Sequence, residues 1–211
     1  MVVDALGDVR PVVLVAQSIG GLTVPLVCEQ VDADLLILVN AMIPKPGGTG
    51  AQWCANTEQA EAAAEYAVSQ VRDTAFDPVE DYFHDVPESV KEEAFAAGEP
   101  PQSGAPFGEP WPLSSWPAVP TRVIVGRDDR QFPAEFQRRV AEDRLKVTPE
   151  VIPGGTRSRW PIRASYLISS SSTSRNGEAG PRQGRAQHTS PAGELSIGEP
   201  VKGGLWRCEY S

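Results

Sequence analysis

Apolar residues in this chain gather in short unbroken runs separated by stretches with helical spacing. Residues 11–16, Pro-Val-Val-Leu-Val-Ala, contain no polar position, which is how a strand buried on both faces of a parallel sheet reads. A central strand is expected there. Gln17-Ser18-Ile19-Gly20-Gly21 interrupts the run, and Leu22, Val24, Pro25, Leu26 and Val27 then resume a pattern suited to a helix packed back on the sheet. Leu35 to Val39 is a second strand, which leaves through Asn40-Ala41-Met42-Ile43-Pro44 into a Gly- and Pro-rich loop. A third strand is expected over Thr121–Gly126, a helix over Pro133–Leu145 opened by its proline, and a short fourth strand over Thr148–Ile152.

Between residues 51 and 100 the composition turns to Ala, Glu and Gln. Two or three surface helices are expected, notably over Glu58–Val71 and Pro87–Ala97, divided by Asp77-Pro78 and Asp85-Val86-Pro87. Residues 99–120, crowded with Pro, Gly and Trp, read as a connector that Trp111 and Trp116 pin to the body of the domain.

Charge divides the chain more sharply than hydropathy does. Residues 1–156 carry eleven Lys or Arg against twenty-four acids, whereas 157–211 carry eight against four. The later segment also holds the run Ser169 to Ser174 and a Gly/Arg/Gln-rich stretch near 180–187, so a low-complexity, disordered tail is expected over 156–211. The overall charge of -9 repels phosphate backbones and anionic headgroups, which argues against nucleic-acid and membrane partners. Cys28, Cys54 and Cys208 are odd in number and share no Cys-x-x-Cys spacing, so neither a zinc site nor a disulfide framework is suggested. With no secretory leader pattern and no apolar run long enough to span a bilayer, a cytoplasmic location is expected.

The chemistry concentrates in Ala16-Gln17-Ser18-Ile19-Gly20-Gly21. A serine on a tight strand-to-helix turn is held strained with its hydroxyl exposed, and close packing of the turn demands small neighbours. In this segment the chain resembles the α/β-hydrolase family, whose nucleophile elbow is G-x-S-x-G, with Ala16 in place of the first glycine. The resemblance implies Ser18 as nucleophile and the Ile19 amide as an oxyanion donor. It continues in Gly126-Arg127-Asp128-Asp129, where the family supplies the acid that orients the catalytic histidine: Asp129 matches the usual position and Asp128 is the alternative.

The family then presents its histidine just beyond the last strand, but Pro153-Gly154-Gly155-Thr156 stands here. Thr156 cannot accept the serine proton near neutral pH. Because the loss coincides with the change in composition, a shift of reading frame near Gly155 is one explanation. Its test is whether another frame of the gene encodes a histidine followed by helical sequence. Upstream, no His-Gly loop supplies the second oxyanion amide, so the resemblance covers residues 1–155 and corresponds to the later two thirds of a full domain.

The resulting expectation is an α/β fold: a partial α/β-hydrolase with a mostly parallel sheet flanked on both faces by helices, and a helical cap inserted over about 45–118. The resemblance implies an esterase-like serine hydrolase of a small carbonyl or ester substrate, needing no metal or organic cofactor and impaired by the missing histidine. Two rivals remain: a non-catalytic member of the fold that binds a small ligand, and a truncated product without function. Gln17, Met42 and His84 are candidate pocket residues. His84, in Asp81-Tyr82-Phe83-His84-Asp85, is either a substitute base or substrate contact reaching down from the cap, or a packing histidine. Met42 and Trp53 line an apolar pocket or pack in the core.

Overall fold

The computed structural model describes residues 11–97 and 103–157; the expected tail lies almost wholly outside the described residues. Four parallel strands, β1 (Val13–Ser18), β2 (Leu35–Ala41), β3 (Thr121–Gly126) and β4 (Glu150–Ile152), form one sheet in the order β1-β2-β3-β4. The helices are α1 (Gly20–Val27), α2 (Gly50–Thr57), α3 (Gln59–Ser69), α4 (Pro78–Phe83), α5 (Glu88–Ala97), α6 (Ala105–Gly108) and α7 (Ala134–Leu145). Parallel pairing needs a crossover between successive strands. α1 and α7 make two of these crossings, and α2 to α6 occupy the long connection from β2 to β3.

The main core cluster lies on one face of the sheet, and on the other face Ile37, Val39 and Ile124 are buried as well. Leu14 and Ala16, Leu36 and Leu38, and Val123 and Val125 alternate along β1, β2 and β3, and they pack with Leu22 of α1 and with Phe136 and Val140 of α7 in a single cluster. Period-two alternation puts Val13 and Val15 on the opposite face, where they are 41% and 49% exposed. The expectation of a central strand buried on both faces is therefore corrected. An apolar run reports β-propensity and hydrophobicity, but which of its faces is covered depends on elements distant in sequence.

The connection from β2 to β3 holds more helices than expected. Glu58, with φ 58°, takes a left-handed conformation and separates α2 from α3, and a capping box between Thr49 and Gln52 starts α2. The tryptophan connector forms as expected: Trp111 is buried, donates its indole N–H to the Leu22 carbonyl at 3.0 Å, and stacks on Trp116 at 5.9 Å. Cys28 is a free thiol. Cys54 is disulfide-bonded, which the cysteine spacing did not suggest. Among the described residues no helix is long and apolar enough to cross a membrane.

Candidate active site

All four strands run the same way, so their carboxyl ends share one edge, and the candidate residues fall along it in chain order. Ser18 ends β1, Asn40 lies near the end of β2, Asp129 follows β3 and Thr156 follows β4. An edge of this kind gathers loops while the sheet behind it stays rigid.

Ser18 has φ 51°, a left-handed conformation that a non-glycine residue adopts only when its surroundings impose it. The imposing contacts are visible. The register with β2 shifts between Gln17 and Ser18, and the Ser18 carbonyl accepts the Met42 N–H at 3.0 Å. Ile19 caps α1, so its amide stands at that helix's N-terminus, where partial positive charge accumulates. The glycine requirement of the turn falls on Gly21, where a Cβ would lie 1.9 Å from the Met42 carbonyl oxygen. At Gly20 the nearest atom to such a Cβ is the Ala16 Cβ at 3.8 Å, an ordinary contact. An alanine therefore fits at position 16. Gly21→Ala is expected to cost roughly 3 kcal/mol in urea unfolding, and Gly20→Ala to stay within about 0.5 kcal/mol of the parent. Equal costs at both positions would mean that the turn does not have this geometry.

Asp128 and Asp129 are separated by their surroundings. Asp128 is at the surface. Its ion pair with Arg127 and the Gly154 N–H that it accepts at 2.9 Å hold its carboxyl below the usual range. Asp129 is fully buried, and its Oδ1 accepts the Gln131 and Phe132 amides at 2.9 and 2.7 Å. Burial pushes its pKa up to about 6, against the opposing pull of those amides and of the Thr156 hydroxyl. That hydroxyl is near enough to favour the charged carboxylate, yet neither Asp129 Oδ2 nor Thr156 Oγ1 completes a hydrogen bond. The loop carrying Asp129 is fixed from below by Gln59, whose side-chain amide donates to the Gln131 carbonyl at 2.8 Å, and by edge-on packing of Trp53 against Phe132.

Thr156 is the joint of the arrangement. It is 3% exposed, its side chain faces Asp129, and its carbonyl accepts the Gln17 side-chain amide at 2.6 Å, one residue from Ser18. Gly126 makes this convergence possible, since a Cβ there would lie 2.4 Å from the Gly154 carbonyl oxygen. The end of α4 holds the same loop: Asp85 accepts the Gly155 N–H at 2.6 Å, and Arg157 lies over the Tyr82 and Phe83 rings at 5.5 and 4.8 Å.

His84 belongs to this clamp. A Cβ on Gly155 would lie 2.6 Å from His84 Cε1. Burial, reinforced by the Arg130 charge, lowers the His84 pKa. Its contact is with the loop that carries Thr156. Met42 and Trp53 lie in the core cluster, 3% and 2% exposed. Sequence reading missed Asn40, whose Oδ1 accepts the Gly126 N–H at 2.7 Å and ties the ends of β2 and β3 together. Its φ of 42° marks it as constrained, but an Asn after an apolar run gives no such signal by itself. No group of three or more His, Cys, Asp or Glu able to hold a metal occurs among the described residues.

The profile of the Alpha/beta hydrolase family matches residues 2–163. The chain belongs to the α/β-hydrolase family. Solved relatives of this hydrolase chain agree in fold. A pyrethroid hydrolase from Sphingobium faniae JZ-2 matches with a TM-score of 0.56 at 20% identity, over 80% of this chain and 74% of that one. A polyneuridine aldehyde esterase matches with a TM-score of 0.54 at 17% identity, over 80% and 75%. No curated protein matches the chain significantly by sequence.

Proposed function

We propose that this chain is an esterase-like serine hydrolase whose proton relay is interrupted at Thr156. Ser18 is the nucleophile, Asp129 the orienting acid, and the Ile19 amide an oxyanion donor. The helices over 45–118 serve as the cap above a small ester or other carbonyl substrate, with Gln17 toward its floor and His84 reaching down from the cap. The observation that carries this reading is Thr156 itself: buried between Asp129 and Gln17, it occupies the place where an imidazole would bridge acid and nucleophile. A hydroxyl there neither takes the serine proton nor returns one to the leaving group. Loss of that member of a serine triad costs on the order of 10⁶ in turnover, so hydrolysis by the unaltered chain should lie close to background.

A fluorophosphonate probe tests the nucleophile separately from turnover. Slow labelling at Ser18, abolished in Ser18→Ala, is expected, because the strained turn and the oxyanion amide remain when the base is gone. Modification elsewhere, or none after long exposure, would remove Ser18 from its role. The same Thr156 also favours a second reading, a member of the fold that binds a small carbonyl compound without cleaving it. Saturable binding of such a compound with no labelling would favour that reading.

A further inference from the structure

The corner at the end of α4 grips the loop after β4 without matching all the polar groups that it buries. Phe83 ends α4 and His84 caps it. From this corner Asp85 Oδ2 accepts the Gly155 N–H at 2.6 Å. The His84 ring lies so close to the same residue that a Cβ on Gly155 would sit 2.6 Å from its Cε1 and 3.1 Å from its Nε2. Arg157 completes the grip, with its guanidinium 4.8 Å from the centre of the Phe83 ring and 5.5 Å from that of Tyr82.

Within the grip, His84 Nδ1 and Asp85 Oδ1 are buried and neither has a hydrogen-bond partner. A neutral imidazole fits such a place, because one of its ring nitrogens carries no hydrogen. An imidazolium does not. It bears an N–H on both nitrogens, so the one at Nδ1 would be a buried cationic donor without an acceptor. Asp85 could take that N–H only by turning its carboxylate, a turn that draws Oδ2 off the Gly155 amide. The charges around the ring are Arg130 and Asp128 from the loop after β3, Arg72 from the segment after α3, and Asp85 beside it. Burial and the Arg130 charge, with Arg72 adding to them, outweigh the two acids and lower the His84 pKa.

We propose that this corner is an acid-released latch: the neutral His84 ring holds residues 155–157 to the end of α4, and a proton on that ring releases them. Once released into water, the ring takes up a proton near the ordinary histidine value of 6.5. The latched form resists that proton, so the latch is at full strength above 6.5 and weakens as pH falls below it. Asp129 is a second group that titrates in this range, near 6, and the Asp85 charge acts on it, so it needs a control of its own. Thr156 lies inside the held segment and its carbonyl is bound by Gln17. The latch therefore governs when the loop of the proposed site is fixed, yet it is defined by its contacts alone and does not require Ser18 to be a nucleophile.

The test follows the Gly155 amide proton and the His84 ring protons of the full, isotope-labelled chain by NMR, from about pH 8 to about pH 5. One shared step is expected, with a midpoint below 6.5, in which the Gly155 amide loses the downfield shift that a bond to a carboxylate confers. The step should remain in Asp129→Asn. In Arg130→Gln its midpoint should move up, because a charge that opposes the proton is gone. His84→Gln should show no step in the Gly155 amide. If that variant is released at every pH or does not fold, the direction of the Arg130→Gln shift still decides. A Gly155 amide that stays flat in the parent, a step that survives in His84→Gln or vanishes in Asp129→Asn, or a midpoint unmoved in Arg130→Gln would overturn the latch. Failure of the probe to label Ser18 would leave each of these outcomes as it is.

Discussion

Thr156→His is expected to raise ester hydrolysis by about 10²–10⁴-fold, the contribution of a positioned general base. Under the proposed function, Ser18 and Asp129 supply the remainder of the relay. Asp129 has one oxygen anchored by two backbone amides and the other without a partner on the side of Thr156. The Thr156 carbonyl is fixed by the side chain of Gln17, the residue before Ser18, so the backbone from which a new imidazole would project is tied to that end of β1. Because the imidazole must be neutral to accept a proton, the regained activity should climb with pH through roughly 6 to 7. Release of nitrophenolate from a p-nitrophenyl ester measures the rate, and circular dichroism confirms that the variant folds. Adding Asp129→Asn should remove most of the gain, since the ring then loses the carboxylate that orients it. A folded Thr156→His chain no faster than its parent would show that Ser18 is not poised for attack.

The second large effect concerns stability. The Asp129 carboxyl of the folded chain titrates near 6, raised from 3.8, with burial the principal cause. The unfolded chain gives up this proton near pH 4 while the folded chain keeps it to about pH 6. Stability from this group is therefore fully present below pH 4 and is lost as pH rises through 6. Two pK units correspond to about 3 kcal/mol. Asp129→Asn should escape that cost. The asparagine oxygen can still accept the Gln131 and Phe132 amides, and its amino group gains a partner in Thr156 Oγ1. Chemical unfolding at pH 7.5 should find the variant about 2–3 kcal/mol more stable than the parent, an advantage fading toward pH 4. Destabilisation of similar size at both pH values would mean that the carboxylate is not strained.

The two arguments meet at one substitution. In the proposed relay Thr156 stands where a histidine would balance the acid's charge, and Asp129 is buried without that partner. The clamp from α4 preserves this geometry. Asp85, His84 and the Tyr82 and Phe83 rings hold residues 155–157 against the sheet although residue 156 no longer supplies a base.

Local signals carried a good deal of this structure. Thr121–Gly126 forms the expected strand end to end, and α7 begins one residue after the proline expected to open it, which stands at the N-cap, because β-branched runs and helix-start prolines act within a few residues. The small-residue pattern around Ser18 likewise foretold a kinked turn, for the steric demands of that turn are met by adjacent positions. Four residues of sequence could not reveal that Gly21, rather than Gly20, is the position closed to a side chain. That depends on the Met42 carbonyl arriving from the next strand.

The sequence by itself determined the strands and the tight strand-to-helix turn at Ser18, since each is written in contiguous residues. Only the tertiary structure decided between Asp128 and Asp129 as the buried acid, left one face of β1 open, and brought Gln17, Asp129 and Thr156 together across as many as 139 residues. Burial and proximity are properties of what lies opposite a residue, and in a parallel sheet the opposite residue is supplied by a distant crossover that no local pattern encodes.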